Sequence, residues 1–344
     1  METPRESIFV SALRSFCRTL FVMLGFFVAL FLAMVLFSAF SGSYRPPIKT
    51  TMEILPDLEE RRQLVNLSAP VILRINIHGF IGDMGLKGSQ VTCEEIQNIL
   101  LDSREGMLQR SRVKGILLHF DTPGGGVTDS DNIYRMLMKY KELYKTPIFG
   151  YVDGMCASGG MYIASSTDRL FCGPTGIVGS VGVRAGPFFN VYDAMTKWGI
   201  QSKNIIEGID KDMMDPFRPW KANESQSLQN TMSYFYQQFV DLVTSARPRL
   251  DKKKLVEEYG AKVFDGVRAQ EYGYVDVANS SYDSALLALM QEARIDSSQP
   301  YQVVQLKPQH GFLAELVDGK LPKIEHRLQL GNEQRERFAF LYGE

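Results

Sequence analysis

The sequence has few of the residues that build metal sites and disulfide frameworks. Its 344 residues include four cysteines and four histidines, and no two cysteines show a CxxC or other metal-like spacing. The formal net charge of −1 gives no electrostatic basis for binding nucleic acid. The composition therefore predicts no metal centre, no disulfide scaffold and no nucleic-acid partner.

One long stretch near the N-terminus has no charged residue. Residues 20–40 are apolar enough, at ~1.5 Å per residue, to cross a hydrocarbon core of ~30 Å. Because the apolar region of a signal peptide is usually only about 7–15 residues long, an uncleaved membrane anchor is favoured. The alternative is a buried helix of a soluble protein.

The basic residues around this stretch indicate its orientation. The run is flanked by Arg5, Arg14 and Arg18 on one side and by Arg45 and Lys49 on the other. The slight excess on the N-terminal side places the N-terminus in the cytoplasm and the bulk of the chain outside. We expect four parts: a cytoplasmic stub and anchor (1–44, span about 20–40), a linker (45–69), a main globular domain (70–295) and an unassigned tail (296–344).

Buried strands alternate with helices in the main part of the chain. Apolar runs at 71–77, 115–120 and 147–152 are typical of strands in a parallel sheet. The second run leads into the loop 122–126 (TPGGG) and the third into 157–160 (ASGG), each followed by a helical segment. This rhythm predicts an α/β fold with repeated βαβ units, right-handed crossovers and both loops at the carboxyl edge of the sheet.

Ser158, in the loop 157–160 at this edge of the sheet, is the candidate nucleophile. The glycines beside it allow close approach of a ligand, and the helix that follows offers free N–H groups to a developing oxyanion. Gly124 and Gly125 of the other loop could add donors from across the site. The alternative is that Ala157 to Gly160 form only a tight turn.

A serine nucleophile needs a base, and the sequence does not select one by itself. His119 stands on an apolar strand, so packing or hydrogen bonding is a better explanation for it than catalysis. A lysine can serve as the base when burial lowers its pKa from ~10.4 toward ~7–8. Most lysines, however, are solvated surface groups.

Six segments, in this order, resemble the signal peptide peptidase A family. They are 122–126 (TPGGG), 157–163 (ASGGMYI), 179–183 (GSVGV), 211–216 (KDMMDP) and 264–266 (FDG) with 275–276 (VD). The similarity covers about residues 70–280. It departs from the family pattern at Cys156, Met161 and Asp215, and none of these changes removes a catalytic group.

The resemblance implies a membrane-anchored serine peptidase with a ClpP/crotonase-like fold. It assigns Ser158 as the nucleophile, Lys211 as the general base and Ser180 as the serine that supports the lysine. Gly159 and the Gly124/Gly125 loop become the oxyanion donors. It further implies peptide substrates such as cleaved signal peptides, no metal or other cofactor, and a homo-oligomer.

The implied location is the bacterial inner (cytoplasmic) membrane, with a single span and the catalytic domain on the outer, periplasmic side. Two other classes of function stay open. A crotonase-type acyl-CoA enzyme shares the fold and the glycine loops, but it normally uses carboxylates. In a non-catalytic membrane scaffold, Ser158 would be only a turn residue.

Overall fold

The computed structural model describes residues 8–41, 50–83, 90–109 and 111–308. Contacts divide the chain into two units, Met1–Ile48 and Lys49–Glu344. In the first unit, helix α1 runs from Ile8 to Ser41. Its segment Ala12–Ala33 has a mean hydropathy of 2.2 and exposed side chains, so by length and composition it can cross a membrane. The predicted stub residues 1–7 and 42–44 lie outside the described ranges.

The second unit alternates strands and helices in chain order. The strands are β1 (Thr50–Leu55), β2 (Val71–Ile81), β3 (Gln90–Val91), β4 (Val113–Gly125), β5 (Ile148–Ala157), β6 (Arg169–Cys172), β7 (Ile177–Gly179), β8 (Val263–Asp265) and β9 (Gln302–Pro308). The α-helices are α2 (Cys93–Asp102), α3 (Val127–Tyr144), α4 (Gly159–Ala164), α5 (Tyr192–Lys197), α6 (Gln226–Ala246), α7 (Lys252–Lys254), α8 (Gly266–Tyr272) and α9 (Tyr282–Glu292). A 3₁₀ turn spans Gly106–Leu108 and a π turn spans Leu255–Tyr259.

These strands form one sheet in the order β1-β9-β2-β4-β5-β7-β8, with β3 beside β2 and β6 beside β5. The pairs from β9 through β2, β4 and β5 to β7 are parallel, which confirms the predicted parallel βαβ core. The outermost pairs, β1 with β9 and β7 with β8, are antiparallel, so the complete sheet is mixed.

Helices cover both faces of the sheet, which explains the continuous apolar runs. On β4, Ile116, Leu118 and Phe120 enter the larger core beneath α2, α3, α4 and α6. Leu117 points to the other face, where it joins the cluster formed with α9. Side chains of successive residues on a strand alternate between faces, so each apolar residue of β4 finds a buried environment.

The predicted boundaries of the main globular domain are too narrow at both ends. β1 lies in the predicted linker and β9 lies in the predicted tail, yet Thr50 pairs with Pro308 and Leu55 with Val303. β9 also pairs in parallel with β2. The compact unit therefore includes both segments, and residues 309–344 of the predicted tail lie outside the described ranges.

Two histidines on neighbouring strands form a polar contact at the α9 face. His78 Nε2 and His119 Nδ1 are 2.7 Å apart, and His119 is 7% exposed. Burial lowers the pKa of His119 to about 3 and also lowers the pKa of His78. One ring nitrogen must donate to the other, so the contact excludes a doubly charged pair, and burial favours the pair in which both rings are neutral. This agrees with a packed rather than catalytic His119.

We expect acid to destabilise the fold through this pair. The unfolded chain binds protons at its histidines below pH ~6.5, whereas folded His119 does so only near pH 3. Stability should therefore fall as the pH drops from ~6.5 toward 3, by up to ~1.4 kcal/mol per pH unit for this residue. Urea unfolding at several pH values checks this. H119Q should give a shallower pH dependence, and an unchanged slope would contradict the assignment.

Candidate active site

Ser158 lies in a sharp turn between β5 and α4. Its backbone has φ 52° and ψ −119°, a conformation that costs a non-glycine residue ~1–3 kcal/mol. Two hydrogen bonds hold it there: its N–H donates to Gly179 O (3.0 Å), and its carbonyl accepts from the Tyr162 N–H (3.1 Å). The side chain is half-buried, and its Oγ hydrogen-bonds to no residue in the described ranges. The backbone of Ser158 is therefore fixed, while its hydroxyl has no hydrogen-bonding partner among the described residues.

The glycine loop at the end of β4 packs directly against this turn. A Cβ on Gly124, where φ is +98°, would lie 2.7 Å from Ser158 Cβ and 2.8 Å from the Gly159 amide nitrogen. A Cβ on Gly159 would lie 3.2 Å from the Gly125 amide nitrogen and would clash with Ser130 Oγ. Side chains at these glycines would separate the two loops. The fold thus brings Gly124, Gly125 and Gly159 to Ser158.

The hydroxyl of Thr122 fixes the position of the glycine loop, a role that no sequence motif indicates. Thr122 is fully buried, its Oγ1 donates to Gly79 O (2.5 Å), and it accepts from the Gly124 N–H (3.0 Å). The Gly124 N–H is therefore engaged in the resting structure. Gly159 opens α4, where N–H groups have no partner in their own helix, and it donates to no other described backbone carbonyl. Gly159 is the more available oxyanion donor.

Ser180 is adjacent to the site through β7. It follows Gly179, whose carbonyl holds the Ser158 N–H, and its own N–H donates to Lys262 O (2.8 Å). Its φ of 56° places it in another tight turn. Its Oγ makes no hydrogen bond to the residues that the structure describes, so none of the described lysines is paired with it.

Lys211 is exposed in a turn that follows Gly208. Its ammonium group makes no hydrogen bond or ion pair with the described residues of the chain, Ser158 included. Two residues of this turn have a positive φ, 103° at Gly208 and 55° at Asp210. Of the predicted site, the fold thus assembles the serine and the glycines, but a single chain does not pair them with Lys211.

An ion-pair network holds the residue next to Lys211. Arg218 Nε donates to Asp212 Oδ2 and Nη2 donates to the Asp212 carbonyl, both at 2.6 Å. Arg218 Nη2 also lies 2.8 Å from Glu224 Oε2. The hydrogen bond from Arg218 lowers the pKa of Asp212. Burial opposes ionisation of Glu224, but the same guanidinium holds its pKa below the usual value.

A parallel α/β sheet with a strained serine and glycine amides at its carboxyl edge is the arrangement of an acyl-transfer site. Residues 141–296 match the family model described as Peptidase family S49. This part of the chain is a Peptidase S49 domain. The matched range includes Ser158, Ser180 and Lys211.

Named relatives agree with this assignment. The chain is 30% identical over 226 residues to a putative signal peptide peptidase SppA of Enterococcus faecium, covering 65% of this chain and 64% of that protein. It is 34% identical over 201 residues to a putative protease of Methanocaldococcus jannaschii, covering 58% and 62%. It therefore spans less than two thirds of the length of either relative. A solved ClpP1 structure from Listeria monocytogenes is 15% identical, with a TM-score of 0.40, covering 62% of this chain and 94% of that one.

Proposed function

We propose that this chain is a membrane-anchored serine peptidase that uses Ser158 and Lys211 to hydrolyse peptides such as cleaved signal peptides. The observation that carries the proposal is the strained Ser158 turn, packed against the Gly124 loop within a Peptidase S49 domain. The substrate class follows from the name of the Enterococcus relative and from the apolar α1, which would keep the site near the membrane.

The proposed reaction is acyl transfer without a metal. Neutral Lys211 accepts the Ser158 hydroxyl proton as Oγ attacks the peptide carbonyl carbon. The Gly159 N–H and the glycine loop stabilise the negative oxygen of the tetrahedral intermediate. The lysine then gives its proton to the leaving amine, and the C–N bond breaks. Water, deprotonated by the same lysine, then attacks the acyl-enzyme carbonyl carbon. The ester bond to Ser158 Oγ breaks, the lysine returns its proton to Oγ, and the acid is released.

Covalent labelling separates this function from the two alternatives. Membranes containing the full chain are treated with a fluorophosphonate, and the labelled peptide is sequenced by mass spectrometry. Labelling at Ser158 that is lost in S158A supports the peptidase. An acyl-CoA enzyme that uses carboxylates, or a scaffold in which Ser158 is a turn residue, should not label there.

The hydroxyl of Thr122 should matter for turnover because it positions the oxyanion loop. T122V removes the bonds to Gly79 O and the Gly124 N–H, and we expect kcat to fall by about 10²-fold, near the effect of losing one oxyanion donor. T122S keeps the hydroxyl and should stay within a few-fold of the parent. Steady-state kinetics with a fluorogenic peptide measure both. Equal losses in the two variants would contradict a role that depends on the hydroxyl.

The side of the membrane on which the domain lies can be tested with spheroplasts. We propose that the N-terminus is cytoplasmic and that residues from 45 onward lie on the outer face of the inner membrane. Protease added to spheroplasts should then digest the domain while a cytoplasmic marker stays intact. Full protection of the domain would reverse the orientation. Release of the protein by carbonate alone would show that α1 is not a membrane anchor.

We also propose that the site is completed between copies of the chain. The segment that carries Lys211 exposes large apolar side chains: Trp198 is 82% exposed, Ile205 94% and Ile209 96%. Such a patch on a protein surface is typical of an interface. Since Lys211 has no partner in the described part of its own chain, a closed homo-oligomer would bring it to Ser158 of a neighbour.

A further inference from the structure

We propose that Arg218 is a positioning residue for Lys211, acting through Asp212 and Glu224. The inference rests on the proposed role of Lys211 as the general base. Arg218 itself would touch neither the substrate nor the serine. It would hold the turn that carries the lysine in the one arrangement in which the amine reaches a serine hydroxyl.

Hydrogen bonds to Asp215 hold the far end of the turn, but the end that carries Lys211 has weaker contacts. The Lys211 N–H donates to Gly208 O over a long 3.4 Å, and the Lys211 side chain has no hydrogen-bonding partner among the described residues. Asp210 and Met214, on either side, have φ values of 55° and 59°, which disfavour an ordinary side chain. A strained turn persists only when its surroundings fix it. Arg218 holds the turn in place because it binds both the side chain and the carbonyl of Asp212.

The network also connects the turn to the core. Glu224 comes just before α6, and its side chain is 3% exposed. α6 buries Phe239, whose ring centroid lies 5.3 Å from that of Tyr162 on α4. Because α4 begins directly after Ser158, one set of packed elements supports both the nucleophile and the turn of the base. Sites built on rigid elements are held more accurately than sites on free loops.

The shape of arginine is required here, and its charge alone is not enough. The guanidinium is a planar fork that can bind two carboxylates at once, whereas a lysine ammonium is a point charge. Without Arg218, the nearest side-chain cation to the buried carboxylate of Asp212 would be Lys221, with its Nζ 3.7 Å from Asp212 Oδ1, and Glu224 would keep backbone N–H donors but lose its guanidinium partner. Removing one partner of a buried network leaves uncompensated charge, so the turn should open.

A double-mutant cycle on the full-length protein in membranes tests the proposal. The rate of fluorophosphonate labelling at Ser158 is measured for the parent, R218Q, K211A and the double variant. Since a displacement of about 1 Å can cost ~10²-fold, R218Q should slow labelling and lower kcat by about 10²-fold with little change in KM. In the K211A background, R218Q should have no further effect. R218K should recover part of the loss.

The controls distinguish a positioning role from a loss of folding. R249Q removes an exposed arginine whose Nη2 donates to Gln270 O and to no other described residue, and it should label at the parental rate. If R218Q melts at a lower temperature, E224Q offers a milder change that keeps the Arg218–Asp212 bonds and should give a smaller loss in the same cycle. Equal slowing by R218Q with and without Lys211 would overturn the positioning role. Parental labelling of K211A would instead overturn Lys211 as the base, and the proposed function with it.

Discussion

Replacing Ser158 with alanine should abolish peptide hydrolysis, and K211A should do nearly the same. The two groups act as a unit, and removal of either member of such a unit in serine proteases costs up to about 10⁶-fold in kcat. The double variant should therefore be no slower than S158A alone. Initial rates with a fluorogenic peptide, measured in detergent with parental and variant chains side by side, give the comparison.

The structure offers a control for each variant. S165A removes a hydroxyl at the other end of α4, where Ser165 Oγ donates to Met161 O, and it should remain active. K203A removes another exposed lysine of the segment that carries Lys211. Near-parental turnover of K211A would exclude the dyad. A double variant that is much slower than both single variants would show that the two residues contribute independently.

Local sequence was sufficient to predict that Ser158 and its glycines lie in a turn at the edge of the sheet, and the catalytic roles of these residues stay a proposal. The strand, the small-residue turn and the helix are consecutive at 147–164, so the turn residue at the sheet edge can be named without a tertiary structure. The parallel order of β4 and β5 then brings the Gly124 loop beside Ser158. The structure adds the positive φ of Ser158 and the close approach of Gly124.

Contacts between distant residues explain what the sequence analysis missed. β1 and β9 pair across more than 240 positions, and neither has an apolar run long enough to indicate a strand in isolation. The bond from Thr122 to Gly79 likewise joins residues on different strands. Arg218 meets Asp212 and Glu224 in irregular backbone, where no periodicity relates the three positions.

Mixing two inactive variants should restore activity if the dyad is shared between subunits. In a ring of S158A and K211A chains, some interfaces place the intact Lys211 of an S158A chain beside the intact Ser158 of a K211A chain. With equal amounts and random assembly of subunits arranged head to tail in a closed ring, about one quarter of the interfaces would be complete. Turnover should therefore rise from background to about one quarter of the parental rate.

The experiment needs proof that the subunits exchange, because separate inactive rings would also give no activity. Fluorophores on the two variants report exchange through energy transfer, and a mixture of S158A with the double variant, which contains no intact serine, should stay inactive under the same conditions. I209D offers a second test, since a charge on the most exposed apolar side chain beside Lys211 should weaken assembly and activity together. A fully active monomer, or a mixture without activity after demonstrated exchange, would show that each chain completes its own site. In that case, the turn that carries Lys211 must move toward Ser158 within one chain, because the described chain shows no bond between them.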